Sequence, residues 1–239
     1  MTKIIGILSS KGGSGKTSVS VNLGSALNNF GKNVVIFDGN FDSPHVGLFF
    51  GVSRVPVDIH NASSVTEAVY RHESGVKIVP GSIRGGKFDI IKSLSSLYGL
   101  FDYVVVDSGS NFLDLISVSD ILYVVTTPDL PSVAEALKTI KTCENYGRGV
   151  KGVILNKHQK HYDMSVKEVG DILNRPVVSV IPYDNEMARA LFLKNSVVNV
   201  NPKSDSSIAF KGLAANLLNV DYKEKKSFHH GMFKFLGLK

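Results

Sequence analysis

A glycine-rich stretch near the start of the chain has the residue types and the spacing that bind phosphate. It consists of Ser10, Lys11, Gly12, Gly13, Ser14, Gly15, Lys16, Thr17 and Ser18. Glycines let consecutive backbone N–H groups curl around an anion, and a helix that starts directly afterwards points its positive dipole end at the same place. In such a loop Lys16 would lie between the β- and γ-phosphates of a nucleotide, and the Thr17 hydroxyl would coordinate Mg²⁺. These nine residues are the candidate cofactor-binding loop.

The segments on either side of this loop have the form that a phosphate loop requires. Residues 3–9 are an apolar run that predicts a buried strand, and in residues 19–27 apolar side chains begin to recur at helical spacing. The order of strand, glycine-rich turn and helix favours a phosphate-binding loop over a glycine-rich turn that binds nothing.

Two later apolar runs each end in an aspartate. Residues 33–37 lead to Asp38, and residues 102–106 lead to Asp107. In an open sheet of parallel strands the carboxyl ends of the strands form the edge where ligands bind. Asp107 is therefore predicted to hold the water shell of Mg²⁺, although an aspartate at the end of a strand can also cap a loop. Two such aspartates downstream of a phosphate loop favour the functional interpretation.

The remaining pattern alternates between strands and helices. A short helix is predicted around residues 46–50 and another helix from Ser64, which has capping-box spacing with Glu67. The other predicted strands are 76–80, 121–125, 150–155 and 176–181, and the other predicted helices are 89–98, 132–146, 166–173, 186–194 and 206–218. This alternation predicts an α/β fold with one mostly parallel sheet and helices on both of its faces.

Composition limits the class of protein and the kind of partner. The chain has 239 residues, of which 43% are apolar and 20% charged, as in globular proteins that form one α/β domain. The single cysteine, Cys143, excludes a disulfide framework and fits a reducing compartment. There is no apolar run of membrane-spanning length, and the start leads straight into a core strand, so we expect a cytoplasmic protein. A net charge of +6 favours an anionic partner surface, either nucleic acid or phospholipid.

Two residues of the glycine-rich loop indicate which type of nucleotide-binding protein this is. Ser10 occupies the place where the usual pattern has glycine, and a second lysine, Lys11, follows it directly. The run from Lys11 to Thr17 resembles the deviant Walker A motif of the MinD/ParA family of dimerising ATPases, and the chain looks most like archaeal MinD-type proteins. In that family the extra lysine reaches the partner subunit's phosphates. The resemblance implies an ATP-dependent homodimer that encloses two ATP molecules with Mg²⁺, with Lys11 acting across the interface.

The same resemblance implies roles for residues further along the chain. Asp38 matches the family's first aspartate near Mg²⁺ and the attacking water, so the implied metal site is Thr17, Asp38 and Asp107. Thr126 to Asp129 resembles a turn that lies beside the nucleotide. Asn156 matches an asparagine that reads the adenine edge. The turn that packs on the base is matched by Pro182, Tyr183 and Asp184.

The chain departs from the family at two places near the reacting phosphate. Many members carry a second aspartate where this chain has Asn40, and an amide can hydrogen-bond a water but cannot accept its proton. Asp42 either substitutes for that aspartate or caps the next turn. Gly109 and Asn111 occupy places that are usually proline and glycine. The implied catalytic residues are therefore Lys11, Lys16, Asp38 and Asn40, with hydrolysis that is slow without a stimulating partner.

The resemblance divides the chain into an ATPase domain, residues 1–220, and a basic tail, residues 221–239. As a helix, the tail would place Phe228, Met232, Phe235 and Leu236 on one face and His230 and Lys234 on the other. Such a helix suits an anionic membrane surface, and MinD-type proteins use one after ATP-driven dimerisation. We therefore predict a MinD-type switch, peripheral to the inner face of the cell membrane, that positions cellular machinery such as that of cell division through an unidentified protein partner. The alternatives are a ParA-like ATPase that binds nonspecific DNA and a nucleotide-binding scaffold that hardly turns over, while the tail itself can also be disordered or docked on its own domain.

Overall fold

The structure is a computed structural model that describes residues 1–52, 59, 62–81, 89–109 and 112–222. The predicted amphipathic part of the tail and Asn111 lie outside these residues, so the hypotheses about them stay predictions. No helix in the described part of the chain is both long enough and apolar enough to cross a bilayer.

The described residues form one sheet of eight strands. In chain order the strands are β1 (Lys3–Leu8), β2 (Val34–Gly39), β3 (Tyr70–Arg71), β4 (Lys77–Val79), β5 (Tyr103–Ser108), β6 (Ile121–Thr126), β7 (Gly152–His158) and β8 (Val177–Pro182). Across the sheet their order is β3-β4-β2-β5-β1-β6-β7-β8. All neighbours are parallel except β3 and β4, which confirms the predicted mostly parallel sheet.

Helices connect the strands. In chain order those of the described residues are α1 (Lys16–Asn29), α2 (Val46–Phe49), α3 (Ile90–Ser95), α4 (Leu113–Val118), α5 (Leu130–Asn145), α6 (Val166–Leu173), α7 (Asn185–Phe192), α8 (Val197–Val200) and α9 (Asp205–Leu218). Because β1 lies between β5 and β6, the chain passes from one side of β1 to the other after β5. The loop that follows β1 therefore lies where a doubly wound sheet opens a ligand crevice.

Both faces of the sheet are covered, which confirms the predicted layer arrangement. Alternate residues of β1 show this: Ile4 and Leu8 pack in one buried cluster with α4, α5 and α6. Ile5 and Ile7 pack in another with α1, α8 and α9. Side chains of successive strand residues point to opposite faces, so apolar runs without polar alternation are what a doubly covered sheet needs.

One predicted helix is wrong. The chain after Ser64 makes turns with successive backbone bonds three residues apart and then enters the edge strand β3 at Tyr70. Glu67 accepts from the N–H of Ser63 and not from Ser64, so the expected capping box does not form. The β-branched Val65 and Thr66 favour helix only weakly, and the pairing of β3 with β4 takes up the chain directly afterwards. A capping box does form at α6, between Ser165 and Glu168.

The short helix α8 was not predicted from the sequence, and a buried amide in α1 explains why it forms. Asn22 is 1% exposed, and its Oδ1 accepts from the backbone N–H of Val197 at 2.9 Å. Its Nδ2 donates to the carbonyl of Ser18. Asn22 therefore caps α8 from another element, and such a cap leaves no signal in the residues next to α8.

Candidate nucleotide-binding site

The loop between β1 and α1 has the backbone geometry of an anion cradle. Gly13 and Gly15 have φ angles of 77° and 93°, in the left-handed region that L side chains rarely adopt. A Cβ at Gly15 would lie 2.1 Å from Nδ2 of Asn156, whereas nothing lies within 4 Å of one at Gly12 or Gly13. Helix α1 starts at Lys16 with no side-chain cap, so the N–H groups of its first turn remain for a ligand.

Two buried hydroxyl groups at this edge of the sheet have no hydrogen-bond partner among the described residues. They are Oγ of Ser14, in the loop, and Oγ of Ser108, at the end of β5; each residue is 1% exposed. Buried polar groups are nearly always paired, and an unpaired one in a native site needs an explanation. A bound anion with several oxygens would supply partners for groups of this kind.

The two predicted aspartates meet beside the loop. Asp38 and Asp107 are register partners on the adjacent strands β2 and β5, and both are fully buried. Thr17 Oγ1 donates to Oδ2 of Asp107 at 2.6 Å. Ser20 Oγ donates to Oδ1 of Asp107 at 3.3 Å. The parallel sheet therefore brings together the three groups that the sequence assigned to the metal.

Burial makes this cluster electrostatically unfavourable without a cation. Desolvation, with a contribution from the charge of Asp107, raises the pKa of Asp38 to about 8. Desolvation also raises the pKa of Asp107 to about 6, although the hydrogen bond from Thr17 and the charge of Lys16 oppose the shift. The pKa of the Lys16 ammonium is in turn lowered by burial. The two carboxylates thus lie in a site where added positive charge is stabilising.

The donor set fits Mg²⁺. Carboxylate and hydroxyl oxygens are hard ligands, and Mg²⁺ is usually bound by one or two carboxylates together with substrate phosphates and water. Thr17, Asp38 and Asp107 provide such a set next to the phosphate loop. Within the described residues no group of three or more His, Cys, Asp and Glu side chains is arranged to hold a metal.

The backbone around Asp38 ties this carboxylate to the segment that follows β2. Its Oδ1 accepts from the N–H of Asn40 at 3.2 Å, and its Oδ2 accepts from the N–H of Val46, the first residue of α2, at 2.9 Å. Asn40 lies against the end of β5, because a Cβ at Gly109 would be 3.2 Å from Asn40 Oδ1. The two places where the chain departs from the family near the reacting phosphate are therefore in contact.

Lys11 binds residues of its own chain in this structure. Its Nζ donates to Oδ1 of Asp129 at 3.1 Å and also to Oγ of Ser132. Asp129 caps α5 by accepting from the N–H of Ser132, and Thr127 donates to its other oxygen. Burial alone would raise the pKa of Asp129, but the hydrogen bonds from Ser132, Thr127 and Lys11 outweigh burial and lower it well below the usual range.

The residues assigned to the adenine side line one cavity of about 200 Å³. Ser18, Asn156, Pro182, Tyr183 and Asp184 are among its lining residues. Asp184 also has a structural task, since it caps α7 and accepts hydrogen bonds from the backbone and hydroxyl of Ser206. The cavity adjoins the phosphate loop because Asn156 Nδ2 donates to the carbonyl of Ser14 at 2.9 Å. The site assignments of the sequence remain predictions about binding, but the fold brings the residues together.

Three contacts of the loop were missed by sequence reasoning. Ser10 Oγ lies 2.6 Å from Oγ1 of Thr139 on α5. Ser132 Oγ accepts a hydrogen bond from Lys11 Nζ, and Lys157 Nζ donates to the carbonyl of Gly13 at 2.9 Å. Thr139 and Ser132 are single polar residues on an apolar helix face, which carries no specific signal. Lys157 directly follows Asn156 in the sequence, which was the available clue.

Comparisons with known proteins agree with this geometry. Residues 5–197 match the family described as CobQ/CobB/MinD/ParA nucleotide binding domain. An uncharacterized ATP-binding protein of Methanocaldococcus jannaschii is 30% identical over 95% of this chain and 94% of its own. The septum site-determining protein MinD of Thermotoga maritima is 27% identical over 91% of this chain and 88% of its own. The structure of Pyrococcus horikoshii MinD complexed with Mg-ADP superposes with a TM-score of 0.82 at 27% identity, covering 91% of this chain and 96% of that one.

Proposed function

This chain belongs to the CobQ/CobB/MinD/ParA nucleotide binding domain family, and from that premise we propose that it is an ATP-dependent dimerisation switch of the MinD type. In this proposal the chain binds ATP with Mg²⁺, pairs with a second copy, and associates with an anionic membrane surface. Slow hydrolysis of ATP returns it to the unpaired state. Its role is to position cellular machinery, such as that of cell division, through a protein partner.

One observation carries the proposal. The register of β2 and β5 puts Asp38 beside Asp107, and the hydroxyl of Thr17, in the first turn of the helix that follows the glycine-rich loop, donates to Asp107. Bound Mg²⁺–ATP would supply a transferable γ-phosphate and a cation at this carboxylate pair. The MinD structure of Pyrococcus horikoshii contains Mg-ADP, which supports the same type of ligand here.

The contacts of Asp38 explain how the chain could sense the nucleotide. The carboxylate of Asp38 accepts hydrogen bonds from the backbone N–H groups of Asn40 and Val46. A cation bound at Asp38 would therefore alter the electrostatics of the segment from Asn40 to Val46. A ligand can switch a protein between two conformations only if it binds one of them more tightly than the other. The segment from Asn40 to Val46 contacts the proposed metal site directly, so its conformation is the one that the nucleotide could change.

The contacts of Lys11 explain how pairing could be coupled to ATP. Lys11 Nζ is bound to Asp129 and Ser132 of its own chain, and both partners of the ion pair are partly exposed. Partly exposed ion pairs contribute at most about 1 kcal/mol to stability. In the proposed dimer, phosphates of the nucleotide bound to the second copy could therefore compete effectively with Asp129 for Lys11. In the proposed dimer Lys11 leaves Asp129 and contacts the nucleotide of the second copy.

Asn40 sets the expected rate of hydrolysis. Its amide can orient a water molecule near Asp38 but cannot accept a proton from it. We therefore propose slow turnover that depends on a stimulating partner. Lys16 stabilises negative charge on the phosphates, and its lowered pKa reflects burial at the base of the loop.

The proposed membrane association depends on the tail after residue 220, and the test removes that tail. The measurement is co-sedimentation with vesicles of anionic phospholipid, in ATP–Mg²⁺ and in ADP–Mg²⁺, for the full chain and for a chain that ends at Asp221. A Lys11→Ala variant, which keeps the tail, is the matched control for pairing. Parallel samples contain duplex DNA in place of vesicles.

The proposal expects sedimentation with vesicles in ATP only, and loss of it both on truncation and in Lys11→Ala. Salt-sensitive, ATP-dependent binding to DNA without binding to vesicles would overturn the membrane role and favour the ParA-like function. ATP binding without pairing or either surface interaction would favour the nucleotide-binding scaffold.

A further inference from the structure

Strand β7 contains an irregularity at the point where it touches the phosphate loop. Leu155 pairs with Val180 and His158 pairs with Pro182, so β7 has one more residue than β8 between these two pairs. The residues inside this β-bulge are Asn156 and Lys157. Bulges near ligand sites redirect side chains that a regular strand would place elsewhere.

Here the bulge sends two consecutive side chains to the same loop. In a regular strand Asn156 and Lys157 would point to opposite faces of the sheet. Instead Asn156 Nδ2 donates to the carbonyl of Ser14 at 2.9 Å, and Lys157 Nζ donates to the carbonyl of Gly13 at 2.9 Å. Lys157 achieves this with a φ of 59°, a left-handed conformation that is uncommon for residues other than glycine.

The two bonds hold two successive peptide groups of the loop. In a trans peptide the carbonyl of one residue and the N–H of the next point in opposite directions. Binding the carbonyls of Gly13 and Ser14 therefore fixes the directions of the N–H groups of Ser14 and Gly15. Glycine-rich loops bind phosphate only when such N–H groups converge on one point, and their flexibility otherwise opposes that arrangement.

The backbone conformation at Lys157 indicates that this contact is not incidental. A left-handed residue other than glycine persists only where its surroundings favour it, and such residues cluster at ligand sites. Lys157 is exposed, so packing of its side chain does not account for the conformation. The bond to Gly13 and the neighbouring bond of Asn156 are the interactions that the bulge makes possible.

We propose that Lys157 is a positioning residue of the nucleotide site, which orders the phosphate loop through the Gly13 carbonyl before the nucleotide binds. Together with Asn156 it makes β7 a further support of the loop, in addition to β1, α1 and α5. This inference rests on the proposed nucleotide-binding function and specifies which residue outside the loop sets its affinity.

The test compares the affinity of full-length variants for Mg²⁺–ADP by calorimetric titration, with the melting temperature of each nucleotide-free variant. Lys157→Met removes the donor and keeps most of the stem. Lys157→Gly removes the donor and also relieves the left-handed backbone. Lys157→Arg keeps a charged donor, and Lys160→Met makes the same charge change three residues further along, at another exposed lysine.

We expect Lys157→Met and Lys157→Gly to raise the Kd for Mg²⁺–ADP about tenfold, the size of one charge-assisted hydrogen bond. Lys157→Gly should do so without lowering the melting temperature, because glycine adopts this backbone freely. Lys157→Arg should restore most of the affinity, and Lys160→Met should bind as the wild type does.

Two results would overturn the inference while leaving the proposed function intact. One is a wild-type Kd in Lys157→Met. The other is an equal loss of affinity in Lys160→Met, which would assign the effect to net charge alone. A wild-type protein that does not bind Mg²⁺–ADP would instead refute the proposed function, and the inference with it.

Discussion

Asp38 and Asp107 are the residues where stability and the proposed function oppose each other. Two adjacent carboxylates, both fully buried, raise the free energy of the folded chain unless a cation lies between or beside them. Lys16 compensates Asp107 only in part, since the pKa of Asp107 is still raised to about 6. Groups that destabilise a fold are typical of sites that bind ligands.

Replacement of Asp107 by asparagine should therefore stabilise the nucleotide-free protein. Asparagine has nearly the same shape; of the hydroxyls of Thr17 and Ser20, which contact different oxygens of Asp107, one can still donate to the amide oxygen and the other can rotate to accept from the amide NH2. We expect the free energy of unfolding at pH 7.5 to rise by up to about 3 kcal/mol, because the pKa of Asp107 is raised by about two units from its usual value of 3.8 and each unit corresponds to about 1.4 kcal/mol. Urea denaturation measures this change.

Asp114→Asn, at an exposed aspartate in the first turn of α4, is the matched control and should change the stability little. Asp107→Asn should also lose the stabilisation that Mg²⁺–ADP gives to the wild type. An unchanged or lower stability in the absence of nucleotide would contradict the electrostatic account of this pair.

The ion pair of Lys11 with Asp129 predicts a specific pH dependence. Because the pKa of Asp129 is lowered in the folded state, its hydrogen bonds stabilise the fold fully above the unfolded pKa of about 4. That stabilisation is lost as the pH falls through the lower folded value. The pair is partly exposed, so the contribution is expected to be below about 1 kcal/mol.

The measurement is the difference in unfolding free energy between the wild type and Asp129→Asn. It should stay constant from pH 7 to pH 5 and shrink below pH 4. A difference that grows on acidification would show that Asp129 is not held as a carboxylate by Lys11, Thr127 and Ser132.

At the scale of elements, α1 is fixed to the sheet by a close contact that only glycine allows. A Cβ at Gly24 would lie 2.5 Å from Cγ1 of Ile36 on β2. Gly212 is also inside a helix, α9, but a Cβ there would meet nothing within 4 Å. The same substitution is therefore expected to have opposite signs in the two helices.

Gly24→Ala should destabilise the protein by about 1–3 kcal/mol, because the added methyl group has to displace Ile36 or the helix. Gly212→Ala should stabilise it by up to about 1 kcal/mol through helix propensity alone. Urea denaturation of both variants tests the packing of α1. Stabilisation by Gly24→Ala would contradict the close contact between α1 and β2.

At the scale of the whole molecule, bound nucleotide should stabilise the folded state. Two buried hydroxyls that have no partner among the described residues, two buried carboxylates and the half-buried ammonium of Lys16 lie at the edge beside β1. A ligand present at one hundred times its Kd stabilises the folded state by about 2.7 kcal/mol. We expect Mg²⁺–ADP at that ratio to raise the melting temperature by several degrees.

Chelation of Mg²⁺ should remove most of that stabilisation, because ADP alone adds negative charge next to Asp38 and Asp107. Thermal unfolding with ADP, with and without a chelator, measures the effect. Equal stabilisation by ADP in both conditions would exclude these aspartates as the metal site.

The sequence was sufficient where local signals and the global fold agree. Continuous apolar runs predicted the central strands, and the strand–glycine–helix order predicted the glycine-rich loop and the helix that follows it, although α1 starts at Lys16, three residues before the predicted residue 19. Parallel pairing then placed Asp38 beside Asp107, since both end strands at the same edge. The helix predicted to start at Ser64 does not form, because the pairing of β3 with β4 takes up the chain that follows the capping-box pattern.

Only the tertiary structure decided the contacts that cross between distant elements. The capping of α8 by Asn22, the binding of Lys11 to Asp129 and the bulge that aims Lys157 at Gly13 join residues 118 to 175 positions apart. Such contacts depend on how strands and helices pack, which periodicity along the chain does not encode. The chemical composition of the site was thus determined by the sequence, whereas its supports were determined by the packing of the sheet.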